Sequence, residues 1–330
     1  MLRLVVIFLV CALLWMVWWA FGQGAYEQGL AAWVKDRRGE GWAADYATLE
    51  TRGFPNRFDT TVTEVALADP DTGIAWSAPF VQFLSLAYKP HQVIAVFPGE
   101  HRFSTPFRTV DITHEDARAS LFLEPSTNLG LDRARLVATK LKAVTTRGER
   151  LSLESGRVAA ETVPEPGNTY RVGAEFLGLV PTKEARRALD PGGLLPETVT
   201  RLRADAVLTF TAPWDRRAIE EARPQVRKVV LQDLSARWGT VDFRAAGELV
   251  VDEQGIPEGQ ITVRAEDWRK ILDMAEAVGW LPLGMRSTVE TGLGLMAGPG
   301  DVLDAPLTFQ GGGVSLGLIP LGDAPRLIIR

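Results

Sequence analysis

Residues 58–88 read FDTTVTEVALADPDTGIAWSAPFVQFLSLAY. Stretches rich in β-branched and aromatic residues flank Asp69-Pro70-Asp71-Thr72-Gly73. That insert has turn chemistry: proline presets φ, aspartate bonds its own backbone two residues on, and glycine accepts a positive φ. Segments 58–68, 74–78 and 80–88 therefore read as successive strands. Further strand texture follows at 93–97, 109–113 and 118–123, a spacing of roughly ten to fifteen residues that predicts an antiparallel meander. In Val81-Gln82-Phe83-Leu84-Ser85-Leu86-Ala87-Tyr88 both strand faces carry large apolar groups. A sheet wetted on one face alternates more cleanly. The expectation is a sandwiched sheet, or one whose second face meets something other than water.

The pattern recurs toward the C-terminus. Strands are expected at 205–212, 226–238, 240–252 and 260–265, with Asp252-Glu253-Gln254-Gly255 as a second acidic turn. The strand–turn–strand modules around Gly73 and Gly255 hint at an internal repeat. Trp268, Ile271, Leu272, Ala275 and Val278 fall on one face of a 3.6-residue period, which predicts a helix near 266–279 ended by Gly279. A second helix is expected near 285–297. Strand fragments at 306–309 and 314–320 flank Gly311-Gly312-Gly313, read as a bulge or a close backbone approach. Between the two β-rich regions, 161–168 (ETVPEPGN) reads as a linker or long loop. Segments 183–189 and 197–203 suit short helices, separated by Asp190-Pro191-Gly192-Gly193.

At the other end, every residue from Leu4 to Phe21 is apolar. As a helix this run covers roughly 27 Å, close to the ~30 Å hydrocarbon core of a bilayer. Trp15, Trp18 and Trp19 crowd its end as an interfacial aromatic belt. The rival is a cleaved signal peptide, whose apolar region is shorter; Ala20-Phe21-Gly22 fits its small-x-small cleavage site loosely. An uncleaved anchor is the preferred reading. Charge leaves orientation nearly even, with Arg3 on one flank and Lys35, Arg37 and Arg38 on the other. A long domain behind a short N-terminal anchor points to translocation. That places the protein in the inner membrane as a single-pass chain, with its C-terminal domain in the periplasm. Beyond the anchor, Tyr26, Leu30, Trp33 and Val34 mark a short amphipathic helix. It is expected to plug the end of a sheet, since its polar face lacks a Lys/Arg array for anionic lipid.

The fold class is thus α+β, mainly antiparallel β: a curved β-meander sheet, or sheets, with a few packing helices behind one transmembrane helix. The expected divisions are an anchor at 1–21, a β-meander with its leading helix at 22–160, a mixed helical and loop connector at 161–204, and a second β-rich half at 205–330.

Little in the chain points to catalysis. Of 330 residues, 36 are Lys or Arg and 41 are Asp or Glu, a net charge of −5. An acidic balance without a basic stripe argues against nucleic acid. The lone Cys11 lies inside the apolar run, so there is neither a disulfide framework nor a thiolate cluster. His91, His101 and His114 read as scattered rather than as metal ligands. HExxH, CxxC, a Walker loop and a Gly-x-Ser-x-Gly elbow are all lacking. The expectation is a non-enzyme with no cofactor and no metal.

One segment is dense in special residues: Arg52-Gly53-Phe54-Pro55-Asn56-Arg57-Phe58-Asp59. Phe54 and Phe58 can staple the post-anchor helix to the first strand. Arg52 and Arg57 flank a Pro-Asn turn and are the candidate contacts for a phospholipid headgroup; the plainer alternative is a turn that orients the first hairpin. Together with the anchor, the short helix and the ending at 311–330 (GGGVSLGLIPLGDAPRLIIR), this segment resembles the proteobacterial family known as domain of unknown function 2125 over nearly the whole chain after the anchor. That resemblance implies no activity. The architecture also looks like AsmA-type envelope proteins, in which a curved, apolar-lined sheet is implicated in handling phospholipid between membranes. This implies a lipid-handling envelope protein with an acyl-chain groove; the alternative is a structural or protein-interaction scaffold.

Overall fold

The computed structural model describes residues 1–164, 167–279, 281, 284–298, 302–317 and 319–329. The chain forms two compact units. Unit 1 holds residues 1–123 and 142–148, and unit 2 holds 124–141 and 149–330. These limits differ from the expected divisions at 160 and 204.

Unit 1 begins with helix α1, Leu2–Gly39. Its strands are β1 (Ala43–Asp45), β2 (Thr48–Arg52), β3 (Arg57–Asp69), β4 (Ile74–Leu86), β5 (Lys89–Val96), β6 (Glu100–Ser104), β7 (Thr109–Thr113) and β8 (Asp116–Leu123). All pairings are antiparallel. β3 pairs with β4 along one edge and with β2 and then β1 along the other. β4 continues to β5 through 82–86 and to β6 through 75–77. β5 pairs with β8, and β6 with β7. Residues 142–145 of β9 (Leu131–Thr145) complete the β7 edge. The 69–73 turn closes β3–β4 as its chemistry requires: the Gly73 amide donates to the Asp69 carbonyl at 2.8 Å, and the Thr72 hydroxyl to the Asp69 carboxylate at 2.7 Å. Segments 74–78 and 80–88, read separately in the sequence, form the single strand β4.

Helix α1 runs unbroken, so the anchor and the expected amphipathic helix are one element. Phe21-Gly22-Gln23-Gly24-Ala25 contains no proline to break it. A mid-helix glycine costs about 1 kcal/mol, and packing offsets that at Gly22, where a β-carbon would overlap the Phe58 ring. Trp15, Trp19, Gly22, Tyr26, Leu30 and Val34 recur every three to four residues and line one side of the helix. Val34 is buried there. The expected end plug is instead the second half of a longer helix, which lies across the face of the sheet over Val62, Val65 and Val81.

Unit 2 contains residues 131–141 of β9, then β10 (Arg150–Val163), β11 (Thr169–Leu179), α2 (Lys183–Leu189), β12 (Val199–Phe210), α3 (Arg217–Glu220), β13 (Val226–Trp238), β14 (Val241–Val251), β15 (Pro257–Glu266), α4 (Trp268–Ala277), α5 (Arg286–Met296), β16 (Leu303–Gln310), β17 (Gly313–Leu316) and β18 (Ile319–Asp323). From β9 to β18 each strand pairs with its sequence neighbour, giving an antiparallel meander. α4 and α5 pack on it through Trp268, Leu272, Val289 and Leu293 against Ala265, Leu303 and Ala305.

Three expectations change here. The segment 161–204 is largely sheet: it supplies the end of β10, all of β11 and the start of β12, with α2 inserted. In 161–168, residues 165 and 166 lie outside the described residues. The helix expected at 197–203 is the start of β12. Gly311 and Gly312 are a two-residue hairpin turn between β16 and β17, with φ of +58° and +78°. Positive φ at both central positions fits the strand twist and favours glycine at both.

Candidate functional site

The first assembly of interest surrounds the middle of α1. The turn after β2 and the turn between β4 and β5 lie at one end of the unit 1 sheet, joined where the Ala87 amide donates to the Asn56 carbonyl at 2.9 Å. All three tryptophans of the expected aromatic belt bond to these turns. The Trp15 Nε1–H donates to the Pro55 carbonyl at 2.9 Å, Trp18 to Ala87 at 3.2 Å, and Trp19 to Arg57 at 2.9 Å. The Trp19 ring also meets Phe54 edge-on, 5.4 Å between centroids, and Phe58 at 6.1 Å. Phe58 packs on Tyr26 at 5.2 Å. The Tyr26 hydroxyl reaches both Ser85 Oγ and the Pro90 carbonyl at 2.8 Å. Gly53, at φ +107°, has room for no β-carbon, because the Arg57 carbonyl oxygen lies 2.9 Å from where one would stand. Phe54 and Phe58 thus staple helix to strand as the sequence indicates.

Arg52 and Arg57 stand at this same end. Each already holds a carboxylate: Arg52 bonds Glu50 at 2.6 Å and Arg57 bonds Asp59 at 3.0 Å. Both guanidinium groups are exposed.

A second assembly lies farther along α1. Leu30, Trp33 and Val34 close an apolar cavity of about 190 Å³ against Val62, Trp76 and Phe83. Small-molecule pockets begin near ~300 Å³, so this space is too small for a lipid. Val81, Phe83 and Ser85 of β4 face the helix, while Leu84 and Leu86 lie on the opposite side. The doubly apolar strand thus has one face covered by α1, and Leu86 remains 37% exposed.

The third assembly is the unit 2 sheet. Strand register sorts its residues into two faces. One row reads Val158, Ala174, Ala204, Leu234, Ala245, Val263, Ala305; the next reads Ala160, Val172, Ala206, Leu231, Gly247, Ile261, Leu307. Both rows are wholly apolar. Alternate residues form rows such as Arg157, Glu175, Arg203, Ser235, Arg244, Arg264, Asp304. That second face is laced with ion pairs. Asp205 receives a bidentate contact from Arg171 at 2.9 and 2.7 Å, and these bonds hold its carboxyl below the usual range against a burial that raises it. Glu175 holds Arg201 at 2.7 Å, and Asp242 accepts from Arg237 and Arg244.

The apolar face is unevenly covered. α4 and α5 bury Ala265, Leu303 and Ala305, while Trp238 is buried with Leu195 and Val241. At the opposite end Tyr170, Phe210 and Trp214 stack edge to face at 5.8 and 5.6 Å. Between these ends β10–β13 are left open: Val158 is 37% and Leu234 40% exposed, with alanines 174, 204 and 206 only part-buried. The alanines form a low floor between taller walls. No single strand announces this face in the sequence; the signal was the alternation of small apolar residues with Arg, Asp and Glu through 155–250.

Two of the three histidines come together, correcting their reading as scattered. The His101 and His114 rings lie 5.4 Å apart, beside Trp76 and Phe97. Burial lowers both pKa values. Among the described residues no group of three or more His, Cys, Asp or Glu is placed to hold a metal ion.

Fold and site together define a β-meander protein carried on an N-terminal helix long and apolar enough to cross a membrane. The chain belongs to a family described as an uncharacterized protein conserved in bacteria, DUF2125, which it matches over residues 19–325. No curated protein and no solved structure matches it, and nothing in these comparisons carries the wider likeness to AsmA-type proteins.

Proposed function

We propose that this is an envelope protein, anchored in the inner membrane with both units in the periplasm, that receives lipid acyl chains on the apolar face of unit 2. The observation that carries the reading is the half-open stretch of that face over β10–β13. Its apolar rows are backed by a charged face that suits water. Exposed contiguous apolar surface marks an interaction site, and a chain tethered at a bilayer has lipid as its nearest apolar ligand. The reading is of a binding protein rather than an enzyme. What supports an uncleaved anchor is the set of bonds from Trp15, Trp18 and Trp19, which cleavage near residue 22 would remove. The alternative is a scaffold whose open face docks another protein.

Photo-crosslinking separates these readings. p-Benzoylphenylalanine placed at Leu234 or Val158 in the full chain is expected to yield adducts of phospholipid mass in intact cells. The same probe at Glu248, on the charged face, is expected to yield none. Protein adducts at Leu234 and Val158 would establish the scaffold instead, and no adduct at either position would sink both.

A further inference from the structure

We infer that the end of unit 1 formed by residues 53–57 and 86–90 is seated in the bilayer, at the headgroup–acyl boundary, rather than standing clear of it. The inference rests on the reading of α1 as a membrane anchor.

The first support is length. The apolar run starts after the charged Arg3, and its last third, from Trp15 to Phe21, is level with the two turns because the indoles bond to them. Only Leu4 to Leu14 stands free of the sheet. Eleven residues rise roughly 17 Å, well short of the ~30 Å hydrocarbon core. Letting Trp15 to Phe21 also enter adds roughly 10 Å and nearly closes the gap. Those residues cannot enter without the turns they hold.

The second support is the surface of the turns. Phe54 is 53%, Tyr88 59% and Leu86 37% exposed, all at this end. They make an apolar collar at this end of the sheet, with Phe54 against Trp19 of the helix and Leu86 on the sheet side facing away from it. Arg52, Arg57 and Lys89 border it with cationic side chains long enough to reach the headgroups.

The third support is the hydrogen bonding of the turns themselves. Turn backbone in an apolar medium needs its polar groups satisfied from within. Here the Gly53 carbonyl accepts from the Arg57 amide, Asn56 from Ala87, Pro55 from Trp15, Arg57 from Trp19, Ala87 from Trp18, and Pro90 from the Tyr26 hydroxyl. Pro55 and Pro90 carry no N–H. A loop that only met water would have no need of three indole donors. The tryptophans, read from sequence as a belt facing headgroups, spend their donors on the protein and so prepare both partners for a drier place.

The test uses the full-length chain in phospholipid nanodiscs, with an environment-sensitive fluorophore on single cysteines. Native Cys11 reports the span. In a Cys11→Ser background, Leu86→Cys and Tyr88→Cys report the collar. Asp71→Cys, in the turn at the other end of β4, reports water. The expected result is strong quenching by nitroxide-labelled lipid at Cys11, Leu86 and Tyr88, with iodide quenching at the two collar sites several-fold weaker than at Asp71. If Cys11 lies in lipid while both collar probes behave like Asp71, the seating is overturned and the anchor stands. An iodide-accessible Cys11 overturns both. Leu86 and Tyr88 are both exposed, so two independent variants guard against misfolding at one.

Discussion

The Phe58 ring fills the space that a side chain at Gly22 would need. This contact joins the apolar helix to the first long strand and fixes how closely they approach. Enlarging one partner forces them apart; shrinking the other leaves a void. Gly22→Leu is expected to cost about 1–3 kcal/mol through overpacking. Phe58→Ala is expected to cost about 3–5 kcal/mol through the lost ring and residual cavity. Because the two residues share one site, their effects should not add. Chemical denaturation of the detergent-solubilised chain measures each, and strict additivity in the double variant would refute the contact.

Retention of the N-terminus is the second expectation. Three indole bonds and the Phe58 contact all lie at or before residue 22 of α1. Intact mass of the protein recovered from bacterial membranes should include residues 1–22. A mature chain starting after Ala20 or Gly22 would mean that the tryptophan contacts are not part of the working protein.

A charge placed on the alanine floor tests the open face of unit 2. Ala204→Arg puts a cation where a row of apolar side chains meets whatever covers them. It should abolish lipid adducts at Val158, its near neighbour in the same row. Since Ala204 is only part-buried, the fold should survive, as judged by an unchanged far-ultraviolet spectrum. Glu248→Gln, on the charged face, should leave adduct yield unchanged. Undiminished adducts in Ala204→Arg would place the lipid elsewhere.

The histidine pair predicts a pH dependence. Burial holds His101 and His114 below the ordinary imidazole value of about 6.5. Above that pH both states of the chain are neutral at these rings. As pH falls below it, the unfolded chain takes up protons that the folded chain resists, so stability declines until the folded pKa values are passed. The melting temperature should therefore drop between about pH 7.5 and pH 5.5. His101→Phe, which keeps an aromatic ring beside Trp76, should flatten that slope. An unchanged slope would assign it to other groups.

The parts legible in the sequence were those with strong local chemistry. Segments 109–113 and 226–238 coincide with β7 and β13, because β-branched residues cluster between turn signals. Trp268, Ile271 and Leu272 declared α4 by their spacing. The staple through Phe54 and Phe58 was also readable. What escaped was decided by partners distant in the chain. In 197–203, Val199, Arg201 and Arg203 alternate as well as they wind, and seven residues do not separate the two periods. The sheet settles it, since Arg201 and Arg203 find Glu175 and Asp233 only as a strand. β10 and β11 are rich in Ala, Gly, Arg and Glu, residues of low strand propensity, and owe their conformation to their neighbours. The indole bonds were invisible because their acceptors lie 38 to 69 residues away.

The unbroken course of α1 has a mechanical meaning. A flexible linker of n residues lets a domain roam over ≈5–6 Å × √n; unit 1 has no such leash. It is fixed directly to the helix, at one depth and one azimuth around the helix axis, and leans only when the helix leans. Its encounters with anything outside the bilayer are therefore not a search by the unit itself. With α1 anchored as proposed, they depend on lateral drift in the membrane plane and on rotation of helix and sheet together about the helix axis.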